Sequence, residues 1–223
     1  MSSVISWSGG KDSCLALWHA QQSGDVVSHT LTALDETGLK TRSHGVSKEL
    51  IEAQSKQLGL KPNFISATWK NYEKCFIDAL INLKHQGVDN AIFGDIDLLA
   101  HKEWEEKVCS LAGLSASLPL WKQARLDLVE EFLDLGFKAR IVCVDARFLN
   151  ESYVGVEFDQ YFINNLPTGV DACGENGEFH TFVYDGPNFT APVDWVSKGK
   201  HTYVSPIEYG QQTYYFDLLD VAL

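Results

Sequence analysis

A chain of 223 residues with 30 acidic and 18 basic side chains carries a formal net charge of −12. That acidity repels polyphosphate backbones and anionic membrane surfaces alike, so broad nucleic-acid or membrane binding is not expected. The longest apolar runs are strand-sized, no secretory leader is expected, and the five cysteines (Cys14, Cys75, Cys109, Cys143, Cys173) are odd in number without a C-x-x-C pair, which points to a reduced, cytoplasmic setting.

Val4 to Trp7 reads as a buried strand and residues 12–23 as a helix, with Ser8-Gly9-Gly10-Lys11-Asp12-Ser13 at the junction. Such a junction suits an anion. A helix start leaves N–H groups unpaired, Gly9 and Gly10 allow close backbone approach, Ser8 and Ser13 add hydroxyls, and Lys11 adds a cation. Asp12 would repel a bare phosphate, so it serves as a helix cap or as a ligand for Mg²⁺ accompanying the phosphates. The spacing excludes a Walker loop and a dinucleotide fingerprint. The loop is expected to be a surface turn with little core packing.

The same grammar repeats. Helices are expected at 48–58, 71–86, 100–112 and 124–135, each ending near a glycine, with strands at 27–34, 63–66, 90–93 and 116–120. This implies an α/β fold over residues 1–136, a doubly wound five-stranded parallel sheet with helices on both sides. Ligands in such sheets lie beyond the carboxyl ends of the strands, which directs attention to the glycine loop, to Leu34 and Asp35, and to Gly94-Asp95-Ile96-Asp97. Asp95 and Asp97 are candidates for a metal or a substrate amine, or plain helix caps. His44 follows the second strand on the same side. Trp7, Trp18 and Trp104 are assigned to the core, and His19, His29, His85, His101 and His201 to structural or surface positions.

After Gly136 the grammar changes. "FKARIVCVDA" reads as a strand, "EFDQYFINNL" as a short helix, and the remainder as short β runs, giving a second, smaller α+β domain over 137–223. Its most polar text is "GVDACGENGEFHTFVYDGP" at 169–187. Asn176-Gly177 favours a hairpin turn, with Glu178, His180 and Phe182 on one face and Phe179, Thr181 and Val183 on the other. Glu175, Glu178, His180 and Thr181 could bind a metal, position an amine or do acid–base work, or simply form a solvated polar hairpin.

SGGKDS is the PP-loop pattern and resembles the ATP pyrophosphatases of the adenine nucleotide α-hydrolase class, a HUP-like, Rossmann-like fold. Taken with GDI at 94–96, EKVC at 106–109, PLW at 119–121, GENGEFHT at 174–181 and DGP at 185–187, the chain resembles the diphthine–ammonia ligase family. The resemblance implies adenylation of a substrate carboxylate by ATP and Mg²⁺, release of pyrophosphate, and displacement of AMP by free ammonia. It assigns Ser8, Gly9, Gly10, Lys11, Asp12, Ser13, Leu34, Gly94 and Asp95 to the nucleotide, with Asp12 as the metal contact. It assigns Lys11, Asp12, Glu178 and His180 to catalysis, and His44, Glu175, Asn176 and Thr181 to acceptor or ammonia. The implied acceptor is diphthine on translation elongation factor 2 where the source makes diphthamide. Two other readings stay open at this point. A PP-loop tRNA-modifying enzyme would show a basic face or paired catalytic cysteines, and a non-catalytic nucleotide-binding module would not need a second polar motif. If the first reading holds, GENGEFHT should face the PP-loop.

Overall fold

Val4 and Ile5 point to opposite faces of the first strand and both are buried, so β1 (Ser2–Ser6) must lie in a sheet covered on two sides. The computed structural model, which describes residues 2–222, supplies that cover. In chain order follow α1 (Lys11–Gln22), β2 (Val26–Leu34), α2 (Lys48–Gln57), β3 (Lys61–Ser66), α3 (Tyr72–His85), β4 (Val88–Ile92), α4 (Leu99–Ala112), β5 (Ser115–Ser117) and α5 (Arg125–Asp134). The five strands run parallel in the order β3-β2-β1-β4-β5, so the strand order reverses where β1 meets β4. On one face Phe76 and Leu80 of α3 and Val108 of α4 pack with Val4 and Leu31; on the other, Leu15 and Leu17 of α1 and Leu50 and Ile51 of α2 pack with Ile5 and Ile92. The expected doubly wound α/β sheet is present, with β5 shorter than the 116–120 read from sequence.

The smaller part is an antiparallel sheet. It contains β6 (Lys138–Asp145), the short helix α6 (Gln160–Asn164), β7 (Phe179–Asp185), β8 (Trp195–Val204) and β9 (Thr213–Val221), in the order β7-β6-β9-β8. The tail after Pro187, to which sequence assigned no motif, supplies two of these strands, and β9 bonds to β6 over Cys143–Asp145. Phe137, Ile141, Phe182 and Val183 share one continuous apolar cluster with Leu15, Leu17 and Ile51, so this sheet is docked on the α1/α2 side of the larger one and not merely tethered to it.

The hairpin expected about Asn176-Gly177 does not form. The segment before the turn makes no ladder with β7, whose partner is β6. Instead the Glu178 carboxylate accepts from Asp171 N (3.1 Å), Asn176 N (2.9 Å) and Asn176 Nδ2 (2.9 Å), drawing the chain into a compact loop ahead of β7. An internal acceptor for these N–H groups outcompetes a two-residue turn that would need a second strand to pair. Nor is β7 a solvated ribbon: Phe179, Thr181, Phe182 and Val183 are all buried.

One side chain stitches the two sheets. Gln54 of α2, wholly buried, donates through Nε2 to Gly9 O (3.0 Å) and Val183 O (2.6 Å) and accepts at Oε1 from Trp7 Nε1 (2.8 Å). Substitution Gln54→Leu keeps the bulk but strands buried polar partners, so the urea midpoint is expected to fall by the equivalent of roughly 2–4 kcal/mol. An unchanged midpoint would show that the seam does not depend on this residue.

Candidate active site

The PP-loop sits at the carboxyl end of β1, at the reversal of strand order where an α/β sheet opens a crevice. Gly9 has φ +81°, and a Cβ there would lie 2.7 Å from Ile51 Cδ1 and 2.9 Å from Gln54 Oε1. A Cβ on Gly10 would meet His44 Nε2 at 2.9 Å and the Thr181 carbonyl oxygen at 3.1 Å. The glycines are therefore required by α2, His44 and β7 as much as by any phosphate. The expectation of a surface turn is corrected accordingly: Lys11 and Ser13 are each only 5% exposed. The cause is β7, which reaches the loop through Lys11 N donating to Thr181 Oγ1 (2.9 Å) and Val183 N donating to Gly9 O (2.9 Å). Within the loop Gly10 N donates to Ser8 Oγ (3.2 Å) and Ser13 Oγ donates to Gly10 O (2.9 Å). Gly94, after β4, lies beneath it; a Cβ there would sit 2.9 Å from the Asp12 carbonyl carbon.

Lys11 Nζ donates to both Asp12 oxygens at 2.7 Å. Burial opposes its charge, but Asp12, Cys173 and Glu175 outweigh burial and hold the ammonium above its ordinary range. Asp12, Cys173 and Glu175 offer ligand atoms within 4.8 Å of one another. The Glu175 carboxyl is raised to about 7 by burial and then by Asp12, with Lys11 working against the rise. Burial pushes the Cys173 thiol up to about 12, so it remains protonated. His44 and His180 pack together, ring centroids 4.6 Å apart. Burial and Lys11 lower His180 to about 4, and burial, His180 and Lys11 bring His44 well below its usual value, so both rings are neutral at pH 7.

These groups open into one cavity of about 620 Å³ whose wall includes Ser8, Lys11, Asp12, Ser13, His44, Gly94, Asp95, Glu175, His180 and Thr181. Glu178, Asn176 and Leu34 stand outside that wall. Glu178 is buried, with its oxygens committed to the loop as described, and Leu34 belongs to the core. Asp97 is held by Arg125, whose Nε and Nη2 donate to its carboxylate at 2.8 and 2.7 Å, while Arg125 Nη1 bonds Asp171 Oδ2 at 2.5 Å. Asp171 in turn accepts from Cys173 N (3.0 Å) and Glu175 N (3.2 Å). The arginine at the start of α5 thus fixes the loop that carries Glu175.

Sequence reasoning missed the far wall. Thr32, Arg42, Trp69, Tyr72 and Glu105 line the cavity, as do Trp104 and His101, which had been assigned to core and surface. His101 Nδ1 lies 2.7 Å from Asp95 Oδ1, and Trp104 stacks on Tyr72. Trp104 and Glu105 fall on neighbouring parts of α4, where a helical apolar pattern cannot separate cavity wall from core.

Fold and site together define a PP-loop α/β protein whose nucleotide-type loop is closed by a strand from a second sheet. The family comparison gives the particular identity. Residues 1–116 match the diphthamide synthase N-terminal domain and residues 124–206 the diphthamide synthase C-terminal domain, so the chain belongs to the diphthamide synthase family. The human diphthine–ammonia ligase is 33% identical over 93 residues, 40% of this chain and 35% of that protein. The aligned part thus spans about a third of that relative's length. The zebrafish (Danio rerio) diphthine–ammonia ligase is 26% identical over 220 residues, 83% of each chain. A crystal structure described as a predicted subunit of a tRNA methyltransferase from Methanocaldococcus jannaschii aligns with TM-score 0.44 and 19% identity over 64% of this chain and 80% of that one.

The raised Glu175 carboxyl has a stability consequence. Its folded value of about 7 exceeds the ordinary 4.5, so between those limits the folded state binds more protons than the unfolded one. This contribution is fully present below pH 4.5 and is lost as pH rises through about 7. In metal-free protein, Glu175→Gln is expected to flatten the fall of the denaturation midpoint across that window. A parental slope in the variant would contradict the placement of Glu175.

Proposed function

We propose that this protein is an ATP-dependent carboxylate–ammonia ligase of the diphthine–ammonia ligase type, forming AMP and pyrophosphate. The observation that carries the reading is the direct bond between Lys11 N and Thr181 Oγ1, which puts the PP-loop and GENGEFHT in one cavity. A nucleotide store would need only the loop. A thiol-dependent tRNA-modifying enzyme would need an activated cysteine, whereas burial raises Cys14, Cys109, Cys143 and Cys173.

The residues fit the proposed cosubstrate. Ser8 and Ser13 turn hydroxyls toward the loop, both line the cavity, and Lys11 carries a firmly held positive charge there. Asp12 supplies a hard oxygen ligand suited to Mg²⁺, while the protonated Cys173 is a poor partner for it. ATP with Mg²⁺ would supply activation of the acceptor carboxylate as an acyl adenylate, with pyrophosphate as leaving group. Lys11 and the loop amides stabilise the charge that develops on the departing phosphates. His180 and His44, both neutral, offer hydrogen bonds without adding a second repelling charge beside Lys11. Glu175 faces the same point and takes the proton shed as ammonia forms the C–N bond and AMP leaves with the C–O electrons. Glu178 acts as a positioning residue, holding the loop from which Glu175 projects. Where the source makes diphthamide the acceptor is diphthine on translation elongation factor 2, and the compartment is the cytoplasm, where the five free thiols stay reduced.

With elongation factor 2 carrying diphthine, ATP and ammonium, the full chain should release equal amounts of AMP and pyrophosphate and form the amide. Lys11→Ala should lower pyrophosphate release by roughly 10²-fold or more with the folded spectrum retained. Parental turnover in that variant would refute the loop assignment, and ADP in place of AMP would refute the reaction class.

A further inference from the structure

The antiparallel sheet sets His180, Cys143 and Phe216 in one row, since Cys143 of β6 stands opposite His180 of β7 and opposite Phe216 of β9. Residues directly opposite in such a ladder project from the same face, so the three side chains make one surface. The turn after β2 rests on it at both ends. The His44 ring packs on His180, centroids 4.6 Å apart. Gly45, with φ +69°, meets Phe216 so closely that a Cβ there would lie 2.8 Å from Cδ1 and 3.0 Å from Cε1. We propose that Phe216 is a positioning residue, the support that keeps His44 against the PP-loop.

The turn fixes its own shape but not its tilt. Thr41 N donates to Val46 O (2.8 Å), Gly45 N to Thr41 O (3.1 Å) and Val46 N to Thr41 Oγ1 (3.1 Å), bonds that close the turn on itself. How far it leans toward the PP-loop is set by what lies under it. Phe216 is well placed to decide this, because it is half-buried and held from both sides. It pairs with Cys143 on one side and His201 of β8 on the other, and the Tyr203 ring stands edge-on to it at 6.4 Å. The same strand takes a second hold. Ser47 Oγ, which caps α2 by accepting from Leu50 N (3.3 Å), donates to Asp220 Oδ1 (3.2 Å). β9 therefore grips the turn at Gly45 and at its exit into α2. The tolerance at the PP-loop is small, since His44 Nε2 lies 2.9 Å from where a Gly10 Cβ would stand. A retreat of the turn opens a gap beside the loop backbone, and an advance collides with it. A rigid ring with a large apolar face suits such a support, and a glycine beneath the positive φ lets the backbone settle onto it.

The catalytic consequence rests on the ligase reading, whereas the support itself does not, so the test reads both. NMR on the full chain should show a through-space cross-peak between the His44 and His180 rings. Phe216→Ala is expected to weaken that cross-peak at least about threefold with the folded spectrum retained. It should also lower kcat for pyrophosphate release at least about tenfold while KM for ATP moves less than about threefold. Phe216→Tyr, which keeps the ring, should restore both readouts. Gly45→Ala should cost less kcat in the Phe216→Ala background than in the parent, because the collision with the ring is gone. Should Phe216→Ala fail to fold, Phe216→Leu, which keeps apolar bulk without the ring, carries the same comparison. An unchanged cross-peak, a parental kcat after its loss, or strictly additive effects of the two substitutions would overturn the proposal. So would a lowered denaturation midpoint as the only effect. A cross-peak lost as stated, with no pyrophosphate formed by the parent chain from any carboxylate, would leave the support standing and remove the ligase reading.

Discussion

The structure depends on β7 reaching the PP-loop. Two hydrogen bonds make the contact, Val183 N to Gly9 O and Lys11 N to Thr181 Oγ1, and Gln54 closes the gap behind them. Without β7 the loop would be a hydrated turn at the top of a sheet, and Lys11 would be an ordinary surface cation. With it, Lys11 is enclosed among groups that are themselves buried: burial first, and Lys11 behind it, lowers both histidines, and the same ammonium opposes the rise at Glu175. The shared apolar cluster gives this junction its rigidity, because Phe182 and Val183 bury on the same core as Leu15 and Ile51.

Enclosure also explains how an acidic chain could present the phosphate site proposed for the loop. The net charge of −12 sets the far field, whereas a bound anion at the PP-loop responds to groups within a few ångströms. There the charges are arranged by sign. Lys11 lies at the loop, the neutral His44 and His180 stand beside it, and the acids divide into Asp12 with Glu175 near the loop and Asp95 with Glu105 toward α4. Arg42 forms a second cationic point beside Trp69 and Tyr72. A cavity so divided discriminates by the position of each ligand charge and not by overall polarity.

Much of this was legible in the sequence, and the limits have physical causes. The parallel sheet could be read because each helix carries its own apolar period and glycine stop, information local to a dozen residues. SGGKDS and GENGEFHT could be singled out because their residue types are costly anywhere but a special turn. The hairpin at Asn176-Gly177 was misread because turn propensity is local, whereas the Glu178 carboxylate that gathers the loop acts through its tertiary setting. Leu34 was placed correctly at a strand end, but its side chain points into the core, a two-residue parity that sequence did not resolve. Arg42, Tyr72, Trp104 and Glu105 come from three separate segments and carry no spacing signal, so only the fold brings them together.

The loop holding Glu175 shows how fixed polar scaffolding positions a cavity-lining carboxyl. Glu178 ties down Asn176 and Asp171; Asp171 ties down Cys173 and Glu175; Arg125 ties Asp171 to Asp97 beyond β4. Glu178 and Asp97, both singled out from sequence as site candidates, are consumed in these links. Charged hydrogen bonds of this kind are directional, so they fix the loop's backbone more tightly than apolar packing of the same small residues would. Gly174, at φ +72°, allows the bend, and its missing Cβ leaves room for Phe179 at the start of β7. Glu178 and Asp171 can therefore be indispensable without ever touching substrate. They set the distance between Glu175 and the Lys11–Asp12 pair, and in the proposed reaction that distance governs whether a nitrogen and a phosphate can be held side by side.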